Sequence, residues 1–278
     1  MKIYPKLDEK LNGINVLKQY AEKYKGIEIQ LLSFECINIA YEVIKKYKDE
    51  IPNIEEVTIH LPLADEDRFN FEALAFAKFD EEKERLNVLI KASKEFNLKI
   101  NLLYHTRWNY NTWISSGAIE RMKELLSLTQ NTNVNILIEN IFSMVEREEC
   151  AVFKIAKHIN NEHLKVCLDI CHLHCEANIF KIPFDEFLHS YLNKDDCQKF
   201  IQQIHFAGTL NGDGFIDKKR THGKMHDSWE SFEEDYSILE QFGIEDKRIV
   251  TEVSEDDYST RVDQIEEIKM LMKKYKMN

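Results

Sequence analysis

Apolar positions fall into eight short runs, each followed by a stretch where apolar residues recur at helical spacing. The runs at 2–4, 26–32, 56–61, 99–105, 134–140, 164–170, 203–207 and 248–253 read as strands. The stretches 11–24, 37–47, 81–96, 117–128, 146–159, 184–191, 231–242 and 262–275 read as helices. Within 164–170, Val166 and Leu168 alternate with neighbours that are also apolar, the mark of a parallel strand covered on both faces. Strand–helix alternation throughout predicts a parallel sheet with helices outside it. Eight repeats in 278 residues fit a closed (β/α)8 barrel, one domain spanning 1–278, better than an open doubly wound sheet. No GxGxxG or GxxxxGK[ST] sequence follows a strand, which removes the usual nucleotide-binding alternatives.

Composition narrows the class further. The chain holds 8 Gly and 4 Pro with no linker-like tract, so nothing divides it. It has no run of apolar residues long enough to span a membrane and no signal-peptide core at its start, so a cytoplasmic protein is expected. The excess of 49 acidic over 37 basic residues gives a net charge of −12, which speaks against a general nucleic-acid or anionic-membrane binder. Its six cysteines form no CxxC pair and read as reduced core residues.

The chemistry sits at the carboxyl ends of the strands. His60, His105, Glu139, Asp169, His205 and Glu252 all fall there, and barrel closure would gather them at one mouth. Three converging carboxylates raise one another's pKa unless a cation holds them. With His172 and His222 nearby, the donors are mixed nitrogen and oxygen, a set for Zn²⁺, Mn²⁺, Fe²⁺ or Co²⁺ rather than Ca²⁺. Taken alone, Asp169 and His172 have an equally good bland reading, an N-cap aspartate opening a helix beside a histidine.

These segments resemble the xylose-isomerase-like barrel superfamily of sugar isomerases, epimerases and type IV apurinic endonucleases. The matching pieces are Thr58-Ile-His60, Tyr104-His105, Leu137-Ile-Glu139-Asn140, Cys167-Leu-Asp-Ile-Cys-His172, Ile204-His205 and Val250-Thr-Glu252. The resemblance implies one to three divalent metal ions (Zn, Mn or Co), the first held by Glu139, Asp169, His205 and Glu252. In the isomerase branch it implies that Glu139 and Glu252 are also the catalytic acid–base pair, with His172 facing substrate. In the endonuclease branch it implies further metal ligands at His60, His105, His172 and His222. There Arg220 stands where that branch has an acidic ligand, unless His226 or Asp227 substitutes.

Three functions follow. A sugar or sugar-phosphate isomerase or epimerase leads, because the loops at the mouth are acidic, as in Ala64-Asp-Glu-Asp and Ser254-Glu-Asp-Asp. A multinuclear phosphoesterase comes second, carried by His60 and His105; Lys218-Lys-Arg220 could meet a phosphate but reads better as a solvated loop tip. A barrel that binds a metal or ligand without turnover is third. The expected partner is a small carbohydrate or sugar phosphate, with nucleic acid disfavoured, no membrane, and a homo-oligomer left open. Trp108 and Trp113 are candidates to wall a substrate pocket, and ordinary packing explains them equally well. Lys224 and His226, on the seventh loop, are candidates to contact substrate.

Overall fold

A computed structural model of the chain describes residues 2–32, 37–62, 79–106, 109–141, 151–192, 197–208, 225–255 and 257–276. The strands are β1 (Lys2–Asp8), β2 (Gly26–Gln30), β3 (Glu56–His60), β4 (Lys99–Thr106), β5 (Val134–Asn140), β6 (Leu164–Asp169), β7 (Ile201–Phe206) and β8 (Arg248–Thr251). All pair in parallel in the order β1 to β8, and β8 closes back onto β1, giving a closed barrel. The helices are α1 (Ile14–Tyr24), α2 (Ile37–Glu50), α3 (Phe79–Phe96), α4 (Tyr110–Ser115), α5 (Ala118–Thr129), α6 (Ala151–Ile159), α7 (Ile170–Phe180), α8 (Phe184–Leu192), α9 (Trp229–Gln241) and α10 (Val262–Lys274). None of the described helices is long and apolar enough to cross a membrane.

Three elements differ from the sequence expectation, one of them α4 (Tyr110–Ser115), which falls in no predicted helix. β1 runs on to Asp8, past Pro5, which reads as a stop because proline cannot donate to a strand ladder. The helix α7 opens directly at the end of β6. Its buried positions (Ile170, Cys171, His172, Leu173, Cys175, Glu176 and Ala177) lie almost all around it, so it lacks the apolar stripe by which a helix is recognised.

The two faces of each strand carry different chemistry. Alternate residues such as Ile100, Leu102, Tyr104, Ile136, Ile138, Val166, Leu168, Ile204 and Phe206 join the main apolar cluster under the helices. The inward rows are largely polar. At the bottom of the barrel Glu56 accepts from Tyr4 Oη at 2.8 Å and Asn101 Nδ2 at 2.9 Å, and pairs with Arg248 at 2.7 Å. Gly26 lets the Tyr4 ring cross there, because a Cβ at that position would stand 2.2 Å from it. Midway, Leu103, Leu137 and Cys167 form a small apolar patch of their own. Thr58 Oγ1 donates to Gln203 Oε1 at 2.9 Å, and Gln203 Nε2 donates to Glu28 Oε2 at 2.6 Å.

Candidate metal centre at the mouth of the barrel

Register builds the top tier. His105 on β4 lies opposite Glu139 on β5, and Asp169 on β6 opposite His205 on β7. Glu252 follows β8 by one residue and prolongs the ladder, its N–H donating to Phe206 O at 3.2 Å. Parallel strands in register present equivalent positions at one height, so ligands far apart in sequence become neighbours.

His205 is the hub. Its Nδ1 lies 3.2 Å from Glu139 Oε1, 3.7 Å from Asp169 Oδ2, and in close contact with Glu252 Oε2. The other oxygen of Glu139 faces His60 Nε2 at 3.2 Å and His105 Nε2 at 3.6 Å. The ring centroids of those two histidines stand 4.7 Å apart. Among the described residues four overlapping groups have their donor atoms within 4.8 Å of one another: Glu139–Asp169–His205–Glu252, His60–His105–Glu139, Glu28–His60–His205–Glu252 and Glu139–Cys167–His205. Donors held about 2.0–2.2 Å from a tetrahedral ion stand roughly 3.3–3.6 Å from each other, so the quartet has the spacing and the chemistry to hold a divalent metal.

Asp169 has both roles that its sequence left open. Its Oδ1 accepts from His172 N at 2.6 Å, capping α7, while Oδ2 faces His205. Asn140 locks the junction, donating to Asp169 O at 3.1 Å and accepting from Asp169 N at 2.8 Å. His172 is buried beside it, with Nδ1 donating to Asn140 O at 2.8 Å. It joins none of those donor groups.

The environment shifts these groups strongly. Burial drives Glu139 up to about 7, with Glu252 and Asp169 adding to the rise and His205 opposing it. Burial, reinforced by Lys6 and His105, holds His60 well below the usual imidazole range, leaving it neutral and fit to be a ligand. For His205 burial acts downward, but the carboxylates of Glu252, Glu28 and Glu139 outweigh it and hold the imidazolium. A metal would take the place of that proton.

Two residues of the centre have no precedent in the sequence reading. Glu28 on β2 is fully buried, with Oε2 2.9 Å from His205 Nε2. Lys6 on β1 sits 3.1 Å from Glu28 Oε1 and bonds Glu252 Oε1. The signal for Glu28 was a carboxylate in the middle of an apolar strand run. Beside Lys6 and Glu252 a cavity of about 480 Å³ opens, bordered also by Lys10, Gln30, Tyr258 and Arg261.

Other candidates lie elsewhere. Trp113 is 1% exposed within the main apolar cluster, so its indole belongs to the core under α4. His226 packs its ring 5.0 Å from that of Phe206, whose side chain points outward from β7 because that of His205 points in. It therefore lies outside the barrel wall, away from the quartet. Trp108, His222, Lys224 and Arg220 lie outside the described residues, as do the loops 64–69 and 211–220.

A family model described as a xylose isomerase-like TIM barrel matches residues 19–275. The chain belongs to that family. No curated protein sequence matches it. Similar solved structures include the IOLI protein with a binding zinc atom, 15% identical, covering 99% of this chain and 96% of that one, with a TM-score of 0.61. The probable 3-DHS dehydratase AsbF from Bacillus anthracis is 13% identical over 99% of both chains, with a TM-score of 0.57. A D-allulose 3-epimerase from Methylomonas sp. in complex with D-allulose is 13% identical over 95% of this chain and 88% of that one, with a TM-score of 0.54. At these identities the likeness is one of fold.

Proposed function

We propose that the chain is a divalent-metal-dependent isomerase or epimerase acting on a small polyhydroxylated carbonyl compound, a sugar or sugar phosphate. The observation that carries this reading is the pair Glu139 and Glu252, brought from β5 and the end of β8 against one nitrogen, His205 Nδ1. Burial holds Glu139 up at about 7, and a cation bound at the quartet would draw it down to the carboxylate that a base must be. One glutamate would take the proton from the carbon beside the carbonyl; return by the other to the opposite face of that carbon inverts it, whereas delivery to the former carbonyl carbon, with the neighbouring hydroxyl proton passed to the old carbonyl oxygen, moves the carbonyl. Bound at the quartet, a divalent ion supplies Lewis acidity and polarises the carbonyl. The cavity beside Glu252 would give the substrate room, with His172 buried next to the quartet. The zinc-bound and D-allulose-bound relatives support the metal and the substrate class.

A second reading has one observation in its favour. His60 and His105 both face one oxygen of Glu139, an arrangement that would hold a second metal and suit hydrolysis of a phosphoester. Elemental analysis of protein purified without added metal or chelator separates the two. One equivalent of metal per chain, unchanged by His60→Ala, goes with isomerisation. Two or three equivalents, one of them lost in His60→Ala, make hydrolysis the lead. The reaction class is tested by incubating the metal-loaded protein with ketoses and ketose phosphates in D₂O. Deuterium should enter beside the carbonyl at a rate that Glu139→Gln and Glu252→Gln each cut by at least about 1000-fold. A full panel without exchange sinks the isomerase reading.

A further inference from the structure

We propose that Glu28 is a positioning residue that presets two of the four metal ligands from beneath, His205 directly and Glu252 through Lys6. The inference rests on the metal reading of the quartet and adds a residue outside it. A histidine can bind a metal through only one nitrogen in a given pose, and the partner of the other nitrogen decides which. Glu28 Oε2 lies 2.9 Å from His205 Nε2, and a carboxylate oxygen only accepts, so Nε2 keeps its proton and Nδ1 is the nitrogen that would give its proton up to a metal. Nδ1 is the nitrogen that faces Glu139, Asp169 and Glu252.

Glu28 is itself held in place. Its Oε2 also accepts from Gln203 Nε2 at 2.6 Å, and that amide lies 3.1 Å from His205 Nε2. Gln203 in turn accepts from Thr58, and Thr58 from Asn101 Nδ2 at 3.2 Å. The second oxygen of Glu28 pairs with Lys6 Nζ at 3.1 Å. That ammonium ties down Glu252 Oε1 and leaves Glu252 Oε2 turned to His205. Lys6 carries no lone pair as an ammonium, so it orients Glu252 without competing as a ligand. Its charge would repel an incoming dication, and Glu28, fully buried beside it, supplies the compensating charge.

The test uses the full chain stripped of metal and titrated with Zn²⁺ against a chromophoric chelator, and with Co²⁺ followed by its visible absorption. Glu28→Gln should raise the Zn²⁺ Kd by about tenfold or more and change the Co²⁺ bands, because second partners of ligating histidines typically carry 10–100-fold in affinity. The matched control is Glu267→Gln, a buried carboxylate paired with His226 outside the barrel wall, which should lower Tm and leave Kd within about twofold. A Glu28→Gln protein with Kd within twofold of wild type and an unchanged Co²⁺ spectrum overturns the positioning role. Should that variant not fold, the wild type decides: ¹⁵N-histidine spectra of the Zn²⁺-loaded protein should show the His205 proton on Nε2 and the metal on Nδ1, and the reverse overturns the proposal. Wild-type protein that takes up neither ion overturns the metal reading itself, and the positioning role with it.

Discussion

Two buried clusters in this chain are made of the same kinds of side chain and reach opposite ends. Outside the barrel wall, Asp235 accepts from His174 Nε2 at 2.7 Å and His226 Nε2 at 3.0 Å, while Glu267 accepts from His226 Nδ1 at 2.6 Å and His226 N at 3.0 Å. Each carboxylate oxygen there has its own donor at hydrogen-bond distance. At the mouth, Glu139 meets His60, His105, His172 and His205 at 3.2–3.7 Å, several donors to one oxygen, with Asp169 and Glu252 crowding the same imidazole. A cluster whose charges pair one to one is complete and contributes to stability. One in which several carboxylates converge on a single imidazole has the charge to take up a cation. Residue type did not distinguish these clusters; stoichiometry and spacing did.

That contrast is open to direct attack. The largest effect should come from His205→Ala, which removes the imidazole common to the quartet's contacts. Metal affinity should fall by at least about 1000-fold, roughly 4 kcal/mol, read by the same chelator competition. The corresponding cut in the outer cluster, Asp235→Asn, should leave metal affinity within about twofold but lower the unfolding free energy by about 3–4 kcal/mol, since it strips one partner from a buried charged network. Weakened metal binding in Asp235→Asn would show that the clusters are coupled after all.

The smallest test is pH. Burial acts to lower His226, but its hydrogen bonds to Asp235 and Glu267 outweigh this and raise it to about 9. A folded pKa above the unfolded value of about 6.5 means that the stabilisation is fully present below pH 6.5 and is lost as pH rises through about 9. Wild type should therefore lose up to roughly 3 kcal/mol between pH 6.5 and 9.5 relative to His226→Gln, measured by urea unfolding. Parallel pH profiles for the two proteins would remove the imidazolium from the account.

The positions legible in the sequence were those whose pattern is local. Apolar runs alternating with helical spacing foretold all eight strands and the barrel, because both periods are properties of a single segment. The strand-end residues Glu139, Asp169, His205 and Glu252 were legible for the same reason: a polar residue closing an apolar run is visible without knowing its neighbours. β1 was cut short at Pro5 and so hid Lys6. Glu28, between Ile27 and Ile29, has the alternation of a strand with one face in water. Nor could the sequence separate His226 from His172, since each is a histidine near the end of a strand.

Tertiary structure decided these cases through closure and register. Closing the sheet turns the polar face of β2 into the barrel interior, where Glu28 cannot stay charged without His205 and Lys6 beside it. Met225 and His226 lie against Gly208, where a Cβ would come within 2.8 Å of their backbone, and His226 sits outside the wall. The sequence determined which residues could act as ligands and at what height along their strands they sit. Which of them share a partner is a matter of distances across the barrel, and no local pattern encodes those.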